Sequence, residues 1–176
     1  MLNTKIKNFN TIVYFNKKFF NINEKNLKNK WTILFCFPFS FSFVCPTELK
    51  ELSKNIEKFK EKNIQIFGFS TDSHFTHKNW VENELKFINF PLISDFNKNI
   101  SKNINILNTK DGNCYRSTLI IDPNLIIKSI DIIDSSISRS IKCLINRCEM
   151  LIFTNLNNNK VCPYNWINDK KSINVF

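Results

Sequence analysis

Residues 37–52, FPFSFSFVCPTELKEL, lie between a strand-like apolar run and a segment with helical spacing of apolar residues. This change of pattern decides how the surrounding chain folds. The run Ile33–Phe37 that leads into them is continuously apolar, which is typical of a strand buried on both faces. From residue 45 onward the apolar residues recur at helical spacing. These residues are Leu49, Leu52, Ile56 and Phe59. The stretch therefore predicts a strand, a short loop, and a helix that begins at Cys45.

The position of Cys45 has two interpretations. The first amides of a helix lack intrahelical partners and favour an anion, so this cysteine could be a reactive thiolate. Pro46 suits the first helical turn because it has no amide hydrogen, and the hydroxyl of Ser42 could orient or receive a proton. A free cysteine is, however, often a small buried residue without chemistry. Local position alone leaves both interpretations open.

The rest of the chain alternates strand-like and helical patterns. Ile64–Phe69 is a second buried strand, followed by helix-start residues and a helical segment at His74–Leu85. Ser117–Asp122 and Ile126–Ile133 are strands on either side of a turn, and Ile137–Phe153 has helical periodicity. The remaining residues, 155–176, are polar and irregular. This order predicts one α/β domain with helices on the faces of its sheet.

The charge of the chain does not indicate a nucleic-acid-binding module. The net charge is +10, but the lysines are scattered and glutamates lie between them, as on a solvated surface. A phosphate-tracking protein would carry a basic block. The sequence also shows no run of about 18–20 apolar residues that could cross a bilayer and no secretion signal. We therefore expect no nucleic-acid or membrane partner and a cytoplasmic location.

A reducing cytoplasm keeps cysteines as thiols, so we expect no structural disulfides. The six cysteines lie at positions 36, 45, 114, 143, 148 and 162. A metal site would need more ligands at tighter spacing than the chain offers, so we assign neither a metal nor a cofactor. His74 and His77 are interpreted as packing or hydrogen-bonding residues.

Five segments, in order, match those of a known family. The first is Pro38-x-x-x-Ser42-x-x-Cys45 with Pro-Thr-Glu after it. The others are Ser70–His77 followed by Trp80, Phe90–Asp95, Arg116–Pro123 and Val161–Trp166. Together they resemble the typical two-cysteine peroxiredoxins, a group that includes the alkyl hydroperoxide reductase C subunit and thioredoxin peroxidases. The resemblance extends over roughly residues 31–166. The resemblance implies a thioredoxin-like fold, with a central mixed sheet flanked by helices.

The resemblance implies that the chain is a thiol-dependent peroxidase, an antioxidant oxidoreductase that reduces hydrogen peroxide and small organic hydroperoxides. Cys45 would be the peroxidatic cysteine, which becomes a sulfenic acid. Cys162 would be the resolving cysteine, which forms a redox-active disulfide with Cys45 of the other subunit. Thioredoxin or a flavoprotein disulfide reductase would then return both thiols.

The same resemblance assigns the supporting residues. Arg116 would stabilise the Cys45 thiolate and the charge that develops on the peroxide. Glu48 would hold arginine side chains in place, and Arg139 would be the second arginine that pairs with it. Pro38 and Ser42 belong to the active-site motif, where serine replaces the more usual threonine.

The resemblance also predicts the organisation of the chain. Residues 1–154 would form the thioredoxin-like domain, and residues 155–176 a C-terminal tail that carries the resolving cysteine. The protein would be a homodimer and could form a ring of five dimers. The alternative is a non-catalytic holdase chaperone on a degenerate scaffold, which would need neither Cys45 nor Arg116 nor Cys162.

Overall fold

The computed structural model describes residues 1–167 and 172–175, which fall into two compact units, Met1–Arg139 and Ser140–Phe176. The first unit contains strands β1 Asn10–Phe15, β2 Lys18–Asn23, β3 Trp31–Cys36, β4 Ile64–Ser70, β5 Leu92–Ser94, β6 Arg116–Ile121 and β7 Ile127–Ile133. Its helices are a 3-10 turn at Glu24–Leu27, α1 Cys45–Lys54, α2 Ile56–Lys60, α3 His74–Asn83 and α4 Asn99–Asn103. The second unit contains α5 Ile141–Leu156 and the short pair β8 Lys160–Val161 and β9 Ile173–Asn174.

The first unit is built on one mixed sheet with the strand order β2-β1-β5-β4-β3-β6-β7. β3 lies between β4, which is parallel to it, and β6, which is antiparallel. All six residues of β3 are buried, as the continuous apolar run predicts. β6 and β7 form the predicted antiparallel hairpin. The carboxyl end of β3 and the start of β6 therefore meet at one edge of the sheet.

The hairpin of β1 and β2 was not predicted from the sequence. Its two-residue turn is Asn16-Lys17, and both residues have positive φ, at 48° and 61°. Such turns match the twist of the flanking strands, but they are normally recognised by glycine at the second position. In a chain with only two glycines, asparagine often occupies the left-handed positions instead, as at Asn29 and Asn63. The turn signal is therefore weak in this sequence.

The predicted helix after Cys45 is divided in two. The side-chain amide of Asn55 donates to the carbonyl of Glu51 at 2.9 Å, and its backbone N–H closes the last turn of α1. α2 then restarts at Ile56 and continues the same apolar face, so that Leu49, Leu52 and Phe59 are all fully buried. The periodicity identified the buried face correctly, but it did not show the break.

One of the two glycines is required by close packing. Gly68 lies in β4 beside β5, and a Cβ atom at this position would come within 2.4 Å of a methyl carbon of Leu92. Any larger residue would force the Leu92 side chain to move from this position. In the described parts of the chain, no helix is long and apolar enough to cross a membrane.

His77 makes the stability of the fold depend on pH. It is fully buried in α3, and burial lowers its pKa from 6.5 to about 4. As the pH falls, His77 is protonated in the unfolded chain before it is protonated in the folded protein. The contribution of neutral His77 to the free energy of unfolding is therefore complete above about pH 6.5 and is lost as the pH falls toward 4. We expect the free energy of unfolding to decrease by about 2 kcal/mol between about pH 7.5 and about pH 5 because of this residue.

Denaturant unfolding at the two pH values measures this effect. His77→Gln should flatten the pH dependence, whereas the same substitution at His74, which is only partly buried, should leave it in place. An equally steep pH dependence in wild type and His77→Gln would contradict the prediction.

Candidate active site

Cys45 is the first residue of α1 and has only 1% of its surface exposed. Pro46 occupies the first turn, and no side chain caps the helix N-terminus. The thiol therefore lies at the positive end of the helix dipole without a competing acidic cap. Because β3 ends at Cys36 and the chain returns through residues 37–44, α1 begins beside the edge where β3 and β6 meet.

Arg116 brings a positive charge to the Cys45 sulfur from that edge. It is the first residue of β6, is 2% exposed, and has its Nη2 3.6 Å from Cys45 Sγ. The same nitrogen donates to the carbonyl of Ser135 at 2.8 Å, and Nη1 donates to Glu48. Both terminal nitrogens of the guanidinium are thus held, and Nη2 also directs an N–H at the sulfur.

Glu48 connects the two predicted arginines. It follows Cys45 by three residues, which places both side chains on the same face of α1, and it is 3% exposed. Its Oε1 accepts from the backbone N–H and the Nε of Arg139, at 2.7 and 2.9 Å. Its Oε2 accepts from Arg116 and from Nη2 of Arg139, the latter at 2.9 Å. One buried carboxylate therefore orients two guanidinium groups.

Arg139 is held by the ends of the central strands as well. Its Nη1 donates to the carbonyls of Cys36 at 2.9 Å and Ser117 at 2.6 Å and to the hydroxyl of Thr118 at 3.1 Å. Its guanidinium carbon lies 3.4 Å from the centre of the Phe35 ring, a cation–π contact. Arg139 is therefore a fixed part of the scaffold.

The buried cluster carries an excess positive charge. The two buried guanidinium groups and the one buried carboxylate sum to +1, and Arg116 also interacts with the carboxylate of Asp134 in the wall of the cleft. A thiolate at Cys45 would carry the opposite charge to this cluster. The arrangement is suited to a sulfur nucleophile.

The charge arrangement predicts a large effect for Glu48→Gln. The amide has no charge to offset the two buried guanidinium groups, so we expect the free energy of unfolding to fall by about 3–5 kcal/mol. Glu51→Gln is the matched control, because Glu51 lies on the same helix in an exposed pair with Lys54 and should matter little. Denaturant unfolding of both variants checks this. Similar stabilities for the two variants would contradict the role of Glu48.

A cleft of about 640 Å³ opens above Cys45 and Arg116. Pro38 and Ser42 line it, and the Ser42 hydroxyl donates to the carbonyl of Phe39 at 2.9 Å. Apolar side chains form much of the remaining wall, namely Phe39, Phe43, Val44, Ile132 and Ile133. The cleft could admit a small ligand with an apolar substituent.

Cys162 belongs to the second compact unit, Ser140–Phe176. It follows β8, is partly exposed, and its Sγ lies 3.8 Å from the carbonyl of Met150 in α5. Trp166 packs on Phe153 with ring centres 5.1 Å apart, which holds the segment after Cys162 against α5. The structure thus brings Cys45, Glu48, Arg116 and Arg139 into contact and places Pro38 and Ser42 in the same cleft, whereas Cys162 lies in the other unit.

Two other thiols of the first unit are unsuited to redox chemistry. Burial raises the pKa of Cys36 to about 12 and that of Cys114 well above its usual value. Cys114 instead donates to the carbonyl of Phe37 at 3.0 Å. Within residues 1–167 and 172–175, no group of three histidine, cysteine or acidic side chains could hold a metal ion.

Sequence reasoning did not find three residues that support the site. Phe35 and Ser135 contact the arginines through a ring face and a main-chain carbonyl, and neither contact leaves a signal in a single sequence. Asp72 accepts from the backbone N–H of Ser40 at 2.7 Å and so contacts the loop before Cys45. Asp72 was visible in the matched segment Ser70–His77, but only as a residue near the start of a helix.

Comparison with known proteins gives one consistent result. Residues 2–130 match the family model described as the AhpC/TSA family. Among curated proteins, the chain is 38% identical to alkyl hydroperoxide reductase C of Amphibacillus xylanus, over 85% of this chain and 81% of that protein. It is 33% identical to thioredoxin peroxidase of Fasciola hepatica, over 97% of this chain and 90% of that protein.

Solved structures share the same fold. The reduced 2-Cys peroxiredoxin of Plasmodium vivax superposes with a TM-score of 0.91 at 29% identity, covering 97% of this chain and 91% of that one. AhpC of Enterococcus faecalis superposes with a TM-score of 0.89 at 32% identity, covering 92% and 98%. The predicted thioredoxin-like architecture, a mixed sheet flanked by helices, is confirmed.

Proposed function

The chain belongs to the AhpC/TSA family and is a thiol-dependent peroxidase, and from this premise we propose that Cys45 is its peroxidatic cysteine. The observation that carries the assignment is the 3.6 Å contact between Arg116 Nη2 and Cys45 Sγ within a buried cluster of excess positive charge. Neither the comparisons nor the site supports the alternative of a non-catalytic holdase.

The first step is attack on the peroxide. The Cys45 thiolate forms an S–O bond with the terminal oxygen, and the O–O bond breaks. The sulfur becomes a sulfenic acid, and the leaving alkoxide or hydroxide takes up a proton to give an alcohol or water. Arg116 faces the sulfur and stabilises the negative charge as it moves from sulfur to the leaving oxygen. Pro38 and Ser42 shape the cleft in which the peroxide lies.

The second step regenerates the enzyme through a disulfide. The Cys162 thiol attacks the Cys45 sulfenic sulfur, an S–S bond forms, and water leaves. Cys162 comes from the other subunit of a homodimer, which could assemble further into a ring of five dimers. A dithiol reductant, either thioredoxin or a flavoprotein disulfide reductase, then reduces the disulfide. The partial exposure of Cys162 supports its access to such exchange.

The organisation of the chain follows from these roles. Residues 1–154 are the catalytic domain, and residues 155–176 are the tail that carries the resolving cysteine. The substrates are hydrogen peroxide and small organic hydroperoxides. The names of the relatives, alkyl hydroperoxide reductase and thioredoxin peroxidase, support this substrate class and a thioredoxin-type reductant. The protein acts in the cytoplasm.

Non-reducing electrophoresis after one equivalent of hydrogen peroxide tests the two-cysteine cycle. Wild type should give a dimer-sized band that reductant removes, whereas Cys45→Ser and Cys162→Ser should stay monomeric. Cys143→Ser is the matched control, because Cys143 is exposed and has no role in the cycle, and it should behave as wild type. A dimer band that persists in Cys162→Ser would overturn the assignment of the resolving cysteine.

A further inference from the structure

A chain of polar groups connects the junction of β4 and α3 to the loop that carries the active-site motif. Asp72 Oδ2 accepts from the backbone N–H of Ser40 at 2.7 Å and from the hydroxyl of Ser70 at 2.9 Å. Ser70 Oγ in turn lies 2.7 Å from Nε2 of His77. Ser70 and His77 are both fully buried, so the contact between them is shielded from water, whereas Asp72 is half-buried.

The chemistry of these groups fixes which atom donates. Ser70 has one hydroxyl proton, and a carboxylate can only accept, so this proton goes to Asp72. With that proton on Asp72, we assign the hydrogen of His77 to Nε2, which donates to Ser70 Oγ. Ser70 Oγ accepts from His77 and, at 3.1 Å, from the backbone N–H of Asp72, and it donates to the Asp72 carboxylate. These hydrogen bonds hold the carboxylate oxygen at the position where it accepts the Ser40 amide.

The loop of residues 38–44 is held by the hydrogen bond between the Ser40 amide and Asp72. Its beginning is fixed because Phe37 N–H donates to the carbonyl of Phe69 at 2.9 Å. In the described part of the chain, the Ser40–Asp72 bond is the one hydrogen bond that joins residues 38–44 to an element other than α1. Directly after it, Phe41 adopts a left-handed backbone with φ of 56°, and Phe43 is 93% exposed. A non-glycine residue in that conformation must be held there by its surroundings.

We propose that Asp72 is a positioning residue for peroxide reduction, which acts by fixing the loop that places Pro38 and Ser42 over Cys45. This inference rests on the proposed function. The carboxylate touches neither the sulfur nor the cleft, so its effect passes through the Ser40 amide. Without it, the loop keeps the packing of Phe41 on Trp80, with ring centres 5.8 Å apart, but loses its hydrogen bond to Asp72. A displacement of about 1 Å in a positioning group can slow a reaction about 100-fold.

Asp72 does not control ionisation of the thiol. The positive groups beside the Cys45 sulfur are Arg116, which Glu48 holds in place, and the N-terminus of α1, and none of these groups contacts Asp72 in the described residues. Loss of the hydrogen bond between Asp72 and the Ser40 amide should therefore slow the reaction of Cys45 with peroxide more than its alkylation. The peroxide reaction needs an oriented substrate, whereas alkylation needs only a thiolate. This difference separates a positioning role from a general loss of structure.

The test compares two second-order rate constants for Cys45, one for hydrogen peroxide and one for iodoacetamide. Asp72→Ala should lower the peroxide constant at least about tenfold and change the alkylation constant less than about threefold. Asp72→Asn keeps an oxygen acceptor for the Ser40 amide and should recover most of the peroxide rate. Asp95→Ala is the matched control, because Asp95 is also buried and accepts two backbone N–H groups, those of Ile100 and Ser101, away from the loop. It should leave the ratio of the constants unchanged.

The possible outcomes separate this inference from the proposed function. If wild-type Cys45 does not react with stoichiometric peroxide, the proposed function fails, and this inference fails with it. If wild type reacts and Asp72→Ala keeps the wild-type ratio, the positioning role alone is wrong. If Asp72→Ala does not fold, Ser70→Ala replaces it, since it removes only the hydroxyl that orients the carboxylate. A several-fold fall in the ratio is expected for Ser70→Ala, and an unchanged ratio would overturn the proposal.

Discussion

Cys45→Ser should abolish peroxide reduction, with a loss of at least about 1,000-fold in the turnover rate. A hydroxyl in this environment is not ionised as a thiol can be, so Arg116 and the end of α1 have no nucleophile to stabilise. The substitution changes one buried atom to a smaller one, and the fold should survive. Consumption of hydrogen peroxide in the presence of a dithiol reductant measures the effect.

The matched control for this prediction is Cys143→Ser, which makes the same chemical change at an exposed position of α5. It should retain wild-type turnover. If Cys45→Ser kept more than about a tenth of the activity, another thiol would have to be the nucleophile. Cys36 and Cys114 are poor candidates because burial raises the pKa of each.

Arg116→Lys should have the second largest effect and lower the rate of Cys45 oxidation by about 100- to 1,000-fold. A lysine ammonium cannot reproduce the fork that reaches Glu48, the Ser135 carbonyl and the Cys45 sulfur together. The positive charge would remain in the site, but it would no longer be held at 3.6 Å from the sulfur. Stopped-flow measurement of oxidation by hydrogen peroxide gives the rate directly.

The control for Arg116→Lys is Arg147→Lys, the same substitution in α5. It should oxidise at the wild-type rate. Thermal unfolding of both variants shows whether a slower rate reflects loss of the folded state. An Arg116→Lys enzyme that is folded and reacts within about threefold of wild type would show that arginine geometry is unimportant here.

The predicted parts of the fold are those whose signal is local. β3, β4 and the β6–β7 hairpin are long apolar runs with clear boundaries, and α1 begins at Cys45 as its pattern predicts. β5 was missed because it has three residues and is defined by its neighbours β4 and β1. Helix α5 begins at Ile141, four residues later than expected, because the Ser140 side chain caps it by accepting from the Cys143 N–H.

The active-site cluster could be predicted only in part, because some of its contacts join residues far apart in the sequence and leave no local signal. The resemblance named Glu48, Arg116 and Arg139, and the structure places these three in direct contact. A sequence does not show that Arg139 also binds the carbonyl of Cys36, 103 residues away, since any residue type can supply a main-chain carbonyl. The hydrogen bond between Asp72 and the Ser40 amide was missed because it, too, involves a main-chain group that any residue type can supply.

The central claim is that peroxide oxidises Cys45 within the cluster of Arg116, Glu48 and Arg139. Its most direct test is to treat the reduced protein with one equivalent of hydrogen peroxide in the presence of dimedone, which traps sulfenic acid, and to map the modified cysteine by mass spectrometry. Cys162→Ser is used so that the sulfenic acid is not consumed by disulfide formation. We expect a single dimedone adduct on Cys45. An adduct on another cysteine, or none while peroxide is consumed, would contradict it.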